Sequence, residues 1–233
     1  MSDSLAVSVP HPAPSVAGSW IKANALAALI NTAMGLVALL LAHAFGTHNP
    51  DAGSFGKFIA FLAYVAAGAA GFSAFATLNG RVLREKIPAF PLRTWIIAHL
   101  VIGVLSGLYG GYSALQPLPD MSQVSQVLAM PGVWIGMLFA GILSGVVMGL
   151  VIGGFQAFIM REVAQGLGAW VGFWVLAGVL TMFVYGLVLF MGDQLGGLTS
   201  QIMGVGLGFL SAIVTTIVML PAVAWLAPRQ HAA

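Results

Sequence analysis

The chain has 233 residues, of which 60% are hydrophobic and only 6% are charged, and it contains no cysteine. A soluble domain carries roughly 25% charged residues because its surface must be solvated, so this composition excludes a soluble globular fold. The formal net charge of +2 gives no reason to expect nucleic-acid binding. We therefore predict a protein embedded in the lipid bilayer.

Long uncharged runs lie between the few charged residues, and each exceeds the ~20 residues that a helix needs to cross the hydrocarbon core. Strands of a β-barrel would instead appear as alternating segments of ~10 residues. The sequence predicts an all-α integral membrane protein with one transmembrane domain at 22–227, a disordered tail at 1–21 and a short tail at 228–233. Its six transmembrane helices are predicted near 22–46, 58–80, 94–115, 132–160, 169–191 and 202–227.

The first predicted span has a second interpretation. Lys22, the apolar run that follows it and the small residues Ala42-His43-Ala44 resemble a cleavable secretory signal, whose removal would leave five spans. We favour a retained span, because the apolar run is longer than the roughly 7–15 residues of a typical signal core. The span also belongs to an internal repeat.

The segment at 81–93, between the second and third spans, has the densest charge in the chain. Basic residues are retained on the cytoplasmic side of spans, which alone accounts for this loop. A second hypothesis is that the loop binds a cytoplasmic partner or anionic lipid headgroups. The residues concerned are Arg81, Arg84, Lys86 and Arg93.

The distribution of Lys and Arg also predicts the orientation of the chain. With the amino terminus inside, seven of the eight basic residues are cytoplasmic and only Lys57 is outside. The same orientation places Asp51, Asp120 and Asp193 on outer loops. We predict a multi-pass protein of the cytoplasmic (inner) membrane with both termini in the cytoplasm.

Trp20, Trp95 and Trp170 open the odd-numbered spans at a constant spacing of 75 residues. The even spans end on similar sequences, with Leu83-Arg84-Glu85 matched by Met160-Arg161-Glu162. These correspondences predict three tandem helical hairpins, at about 20–80, 95–160 and 170–227, in a parallel repeat. The alternative is that apolar spans resemble one another through composition alone.

One polar position recurs eleven residues after each repeat tryptophan, as Asn31, Ser106 and Thr181. At 1.5 Å per residue, each of these residues lies about 16 Å along the helix from its tryptophan. If the tryptophans mark the inner membrane interface, as Trp commonly does, the polar groups lie near the middle of the bilayer. We predict that these groups bind a substrate, although Ser and Thr often bond to their own helix instead. His99 lies one turn into the third span and is a fourth candidate binding residue, with a bond to a neighbouring helix as the simpler explanation.

Glycine recurs every four residues along the fourth span and forms a smooth stripe that lets another backbone approach closely. The stripe predicts helix packing within the bundle or between protomers, and the alternative is the lining of a narrow conduit. Its members are Gly141, Gly145, Gly149 and Gly153.

No charged residue lies deep in a span, so the acid chains of proton-driven transporters are absent. Catalytic, nucleotide-binding and metal-ligating motifs are also absent, so we expect no cofactor and lean against an enzyme. One hypothesis is a permease-like or substrate-binding subunit for a small neutral or apolar solute or lipid. The alternative is a non-catalytic accessory or scaffolding subunit, packed through its glycine stripes against a larger membrane complex or another copy of itself.

Overall fold

The computed structural model of the chain describes residues 15–45, 53–116, 132–192 and 197–229. Most of the predicted amino-terminal tail and the outer-loop residues Asp51, Asp120 and Asp193 lie outside these ranges. The described chain consists, in order, of α1 (Val16–Phe45), α2 (Ser54–Lys86), α3 (Leu92–Leu115), α4 (Val133–Met160), β1 (Ala164–Gln165), α5 (Leu167–Gly192), α6 (Gly197–Trp225) and β2 (Ala227–Pro228).

All six helices are long and apolar enough to cross a membrane. This confirms the predicted all-α membrane fold and the number of spans. Helices form here because hydrocarbon offers no water to the backbone, and a helix satisfies its N–H and C=O groups within one segment.

At one end of the bundle, α1 and α2 each extend six residues beyond their predicted bounds. α1 begins at Val16 rather than near residue 22, and α2 continues to Lys86 rather than ending near residue 80. The extensions bury apolar side chains, since Trp20 is 2% exposed and Leu83 is 0% exposed. The start of a charged segment marks where a helix leaves hydrocarbon, but it does not end the helix. Residues 16–21 of the predicted tail and 81–86 of the predicted loop are therefore helical.

The six helices form a ring in chain order around a central space. Each helix packs along the next, and α6 closes onto α1, so α1 is an integral part of the bundle. α3 and α4 are the exception, because their described residues touch at only a few positions. We call the interval between these two helices the α3–α4 seam.

Glycine brings two pairs of helices into backbone contact. A Cβ atom added to Gly68 of α2 would lie 2.3 Å from the carbonyl oxygen of Gly103 in α3. The matching atom on Gly145 of α4 would lie 2.6 Å from the carbonyl oxygen of Gly178 in α5. Only glycine permits such an approach, and small residues at helix crossings are typical of membrane bundles.

The rest of the glycine stripe on α4 also faces α5. A Cβ on Gly149 would lie 2.4 Å from the Cα of Val175, and one on Gly153 would meet the Trp174 side chain at 2.7 Å. Gly141 is less tightly packed, with 3.9 Å from its Cβ position to the Cβ of Met182. The stripe is therefore occupied by contacts within the bundle.

The buried core lies at one end of the bundle, which we call the basic end. There α1, α3 and α5 begin and α2, α4 and α6 end, and the repeat tryptophans are packed among aliphatic residues of the other helices. Among the described residues, Lys57 is the only Lys or Arg at the opposite end. The seven at the basic end are Lys22, Arg81, Arg84, Lys86, Arg93, Arg161 and Arg229.

Hydrogen bonds tie the carboxyl end of α6 into the basic end. β2 pairs antiparallel with β1, and the Arg229 N–H donates to the Val163 carbonyl at 2.9 Å. The Lys86 ammonium donates to the carbonyl oxygens of Val223 and, at 2.7 Å, Ala224. The last carbonyls of a helix lack partners within it, and a cation placed there also complements the helix dipole. Lys86 thus caps α6.

Candidate binding cavity

A cavity of about 240 Å³ lies inside the ring, next to the basic end. Every helix contributes to its wall, and most of the lining side chains are apolar. No lining residue carries a formal charge. Representative lining residues, one from each helix in order, are Asn24, Phe75, His99, Ile152, Trp174 and Thr215.

His99 and Gln156 join α3 to α4 at the floor of this cavity, and both are buried. His99 Nδ1 lies 2.8 Å from the Trp95 carbonyl oxygen, and the two side-chain Nε2 atoms of His99 and Gln156 lie 3.0 Å apart. A carbonyl only accepts, so His99 Nδ1 carries the proton and its Nε2 accepts from the Gln156 amide. Trp170 Nε1 donates to Gln156 Oε1 at 3.1 Å. The resulting chain of donors is consistent with a neutral imidazole.

A second polar pair, Asn24 and Asn79, joins α1 to α2 at the same depth. Asn24 Nδ2 donates to Asn79 Oδ1 at 2.8 Å, and Asn79 Nδ2 donates to Asn24 Oδ1 at 3.2 Å. Asn24 Nδ2 also donates to the Trp20 carbonyl at 2.9 Å. Reciprocal amide pairs of this kind link helices in membranes, where a buried polar group without a partner is costly.

The three repeat tryptophans pack together beyond the cavity floor, in the buried core of the basic end, and do not line the cavity. Trp20, Trp95 and Trp170 are 2%, 0% and 1% exposed. The centroids of the Trp20 and Trp170 rings lie 6.2 Å apart in an edge-to-face arrangement, and the Trp95 and His99 rings are 4.4 Å apart. The repeat tryptophans are therefore packed inside the protein and do not face lipid as interfacial anchors.

A second cavity, of about 290 Å³, lies farther from the basic end. It is lined by α1, α2, α3 and α6, and its polar groups include Thr32, Tyr64 and Ser106. Asn31 and Phe72 line both cavities and therefore stand between them.

Three of the four predicted binding residues line these cavities. His99 lines the central cavity, Ser106 lines the second, and Asn31 lines both. Thr181 is absent from the lining of either. Of the three positions matched in the predicted repeat, Asn31 and Ser106 thus line a cavity and Thr181 does not.

The sequence analysis missed Asn79, Gln156 and Trp174 as cavity-floor or lining residues. A signal for two of them was present, since Asn79 and Gln156 each lie five residues before the matching Arg84 and Arg161. Both even helices therefore present an amide side chain to the odd helix that carries Asn24 or His99. Only the tertiary structure shows these pairings.

The predicted partner loop divides into two kinds of residue. Arg81, Arg84 and Arg93 are exposed at the basic end, whereas the Lys86 ammonium is engaged by carbonyls of α6. Binding of a partner or of lipid headgroups by these four residues stays a prediction, and Lys86 differs from the three arginines in its contacts with α6.

Within the described ranges no group of three or more His, Cys, Asp or Glu side chains is placed to hold a metal ion. No family model, curated protein or solved structure matches the chain.

Proposed function

We propose that the chain is a permease-like or substrate-binding subunit of the cytoplasmic membrane, which takes a small neutral, largely apolar solute or lipid into its central cavity. The observation that carries this proposal is the cavity itself. Its walls come from all six helices and are mostly apolar, and a few neutral polar groups stand at its floor. Ligand sites have this combination of apolar walls and sparse, oriented polar groups.

The proposed orientation places the basic end in the cytoplasm, together with both termini. It rests on the collection of seven of the eight Lys and Arg residues at that end. The cavity floor and the buried core beneath it would then lie on the cytoplasmic side.

The proposed parallel repeat is supported by two recurring contacts. Gly103 and Gly178, which are 75 residues apart, each cross a glycine of the preceding helix. Asn79 and Gln156 occupy matching positions and bond to Asn24 and His99, which are also 75 residues apart. Similar contacts at matching positions are what tandem hairpins would produce.

The cavity lining has no Asp, Glu, Lys or Arg with which to couple binding to proton movement. We therefore propose that the protein acts passively, or with an energy-supplying partner that docks on the exposed Arg81, Arg84 and Arg93. The scaffolding alternative needs the glycine stripe to pack against another protein. That stripe faces α5 instead, which weakens the alternative.

Substitutions that fill the central cavity with a larger side chain test the proposal. Ala28 is buried and lines the cavity, whereas Ala25 is exposed on the outer face of the same helix. We expect small neutral molecules to co-purify with the wild type and with Ala25→Trp, and to be lost from Ala28→Trp and from the milder Ala27→Phe. Native mass spectrometry with solvent extraction measures this, and size-exclusion chromatography checks that each variant is folded. Equal occupancy in all four proteins, or none in the wild type, contradicts the proposal.

A further inference from the structure

The second cavity, of about 290 Å³, has a different wall from the central one. Apart from glycine, its apolar lining residues are Ala67, Phe72 and Val205. The polar lining residues outnumber these three and provide one amide and three hydroxyl groups. They are Asn31, Thr32, Tyr64 and Ser106.

These four polar side chains are accessible and have no hydrogen-bond partner within the described parts of the chain. Asn31 and Ser106 are exposed, and the other two are partly buried. Thr216 shows the usual alternative, because it is buried and donates to the Ala212 carbonyl of its own helix at 2.6 Å. A molecule in the second cavity can therefore reach donors and acceptors that the protein itself does not use.

Glycines of neighbouring helices make room for two of these side chains. A Cβ added to Gly71 of α2 would collide with Asn31 Oδ1, so the amide lies directly against the α2 backbone. A Cβ on Gly110 of α3 would lie 3.2 Å from the Tyr64 ring. Both polar side chains are thus positioned by close contact with a glycine.

The two cavities adjoin at Asn31 and Phe72, which are the two residues that their linings share. The space next to the basic end is mostly apolar, and the space beyond these two residues is more polar. One molecule that reaches across this junction would therefore meet an apolar wall at one end and hydroxyl groups at the other.

We infer that the two cavities form one site for a small neutral alcohol, with its apolar part in the central cavity and its hydroxyl among Thr32, Tyr64 and Ser106. This inference rests on the proposed function and names its substrate class. Side-chain hydroxyls and the Asn31 amide each donate and accept, and a hydroxyl on the ligand can use both roles. No residue of either lining carries a formal charge, which favours an uncharged ligand.

The volumes limit the size of this alcohol. A cavity of roughly 150 Å³ accommodates benzene, so the central cavity of about 240 Å³ admits a substituted ring or a chain of moderate length. A diacyl lipid is far larger than both cavities together. The expected ligand is therefore a free alcohol and not a membrane-forming lipid.

Photolabelling with octanol that carries a diazirine tests the substrate class. The full chain is reconstituted in phosphatidylcholine vesicles, and adducts on residues of the two linings are mapped by mass spectrometry. The competitors 1-octanol and 1-fluorooctane are similar in size, but the fluorine cannot donate a hydrogen bond. At equal concentrations within the bilayer, we expect octanol to compete at least about threefold more effectively, as one hydrogen bond would produce. Equal competition, which a second cavity that holds only water would give, overturns the inference.

A triple variant removes the three hydroxyls with little change of volume: Thr32→Val, Tyr64→Phe and Ser106→Ala. Since these hydroxyls make no bond within the described chain, we expect an unchanged thermal midpoint. The octanol-to-fluorooctane advantage should fall to about one. A folded triple variant that keeps the advantage overturns the assigned contacts.

Filling the second cavity is an independent test. Gly204 of α6 lines this cavity, and a Cβ added to it meets no atom within 4 Å. Gly206 has an equally open Cβ position but lines neither cavity. We expect Gly204→Phe to cancel the advantage of octanol and Gly206→Phe to preserve it. The same advantage in both folded variants overturns the inference.

Ala28→Trp separates this inference from the proposed function. If it abolishes the cavity adducts while the changes in the second cavity leave the advantage of octanol intact, the central cavity binds ligands but the hydroxyl contacts are wrong. If Ala28→Trp leaves the adducts in place, the central cavity is not the binding site and both proposals fail.

Discussion

At the scale of single residues, the side chain of Gln156 provides hydrogen-bond partners for two buried neighbours at once. Its amide N–H serves His99 and its carbonyl oxygen serves Trp170, all three side chains being buried. The sequence identified His99 as a candidate binding residue one turn into the third span. It did not identify the partner, which comes from 57 residues farther along the chain.

Replacing Gln156 tests this dependence. Gln156→Leu keeps a similar volume but leaves His99 Nε2 and the Trp170 N–H without partners, so we expect the free energy of unfolding to fall by about 1–3 kcal/mol. Unfolding in mixed micelles, followed by circular dichroism, measures the change. The control is Gln165→Leu at an exposed position in β1, which should change stability by less than about 0.5 kcal/mol. Equal effects of the two substitutions would contradict the described network.

At the scale of helices, contact between α4 and α5 depends on missing side chains. The spacing of the glycines predicted a packing surface, but it left open whether the partner was another helix of this chain or a second protein. The structure places α5 against the stripe, because α4 and α5 are adjacent in the ring and joined by a short connection. The spacing of the glycines thus predicts a packing surface on α4, whereas the chain connection and the packing show that α5 is its partner.

Alanine at two glycines of α4 distinguishes this contact from a general effect on the helix. Gly145→Ala places a Cβ 2.6 Å from backbone of α5, and we expect a loss of about 1–3 kcal/mol as the helices move apart. Gly154 has no atom within 4 Å of its Cβ position, so Gly154→Ala should be neutral or stabilising by up to about 1 kcal/mol. Denaturant midpoints of the two variants provide the comparison. A more harmful Gly154→Ala would refute the assignment of the contact.

The end of α6 provides a second prediction at this scale. Lys86→Met retains the aliphatic stem but removes the donor to Val223 and Ala224, and we expect a loss of about 1–2 kcal/mol. Faster amide hydrogen exchange near the end of α6 should accompany it. Arg84 is exposed on α2, the helix that also carries Lys86. Arg84→Met should therefore change neither the stability nor the hydrogen exchange of α6. If Arg84→Met matched Lys86→Met, the cap would be excluded as the cause.

At the scale of the whole molecule, the bundle is asymmetric along its axis and around it. Along the axis, the basic end contains the buried core, the capped helix ends and the polar pairs, whereas the cavities lie farther along. Around the axis, five of the six interfaces between neighbouring helices are packed and the α3–α4 seam is not. A binding space that is closed at one end and thinly walled on one side follows from these two asymmetries.

The orientation of this asymmetric bundle is testable with single cysteines in the cysteine-free chain. Lys57 and Arg93 are both exposed, at opposite ends of the bundle. On intact cells or spheroplasts we expect a membrane-impermeant maleimide to label Lys57→Cys and to spare Arg93→Cys. Both should react after membrane disruption. The reverse pattern would place the basic end outside and refute the proposed orientation.

Sequence alone determined the class of this protein, the number of spans and the approximate place of each, because hydrocarbon requires long uncharged helices wherever the chain crosses it. It also located the tryptophan spacing and the glycine stripe. The tertiary structure decided which residues meet: Asn31 and His99 reach the cavities whereas Thr181 does not, and Lys86 turns inward to cap α6. Hydropathy carries no information on how an apolar helix is rotated about its own axis, since lipid and protein interior are equally apolar. That rotation is set by contacts between helices.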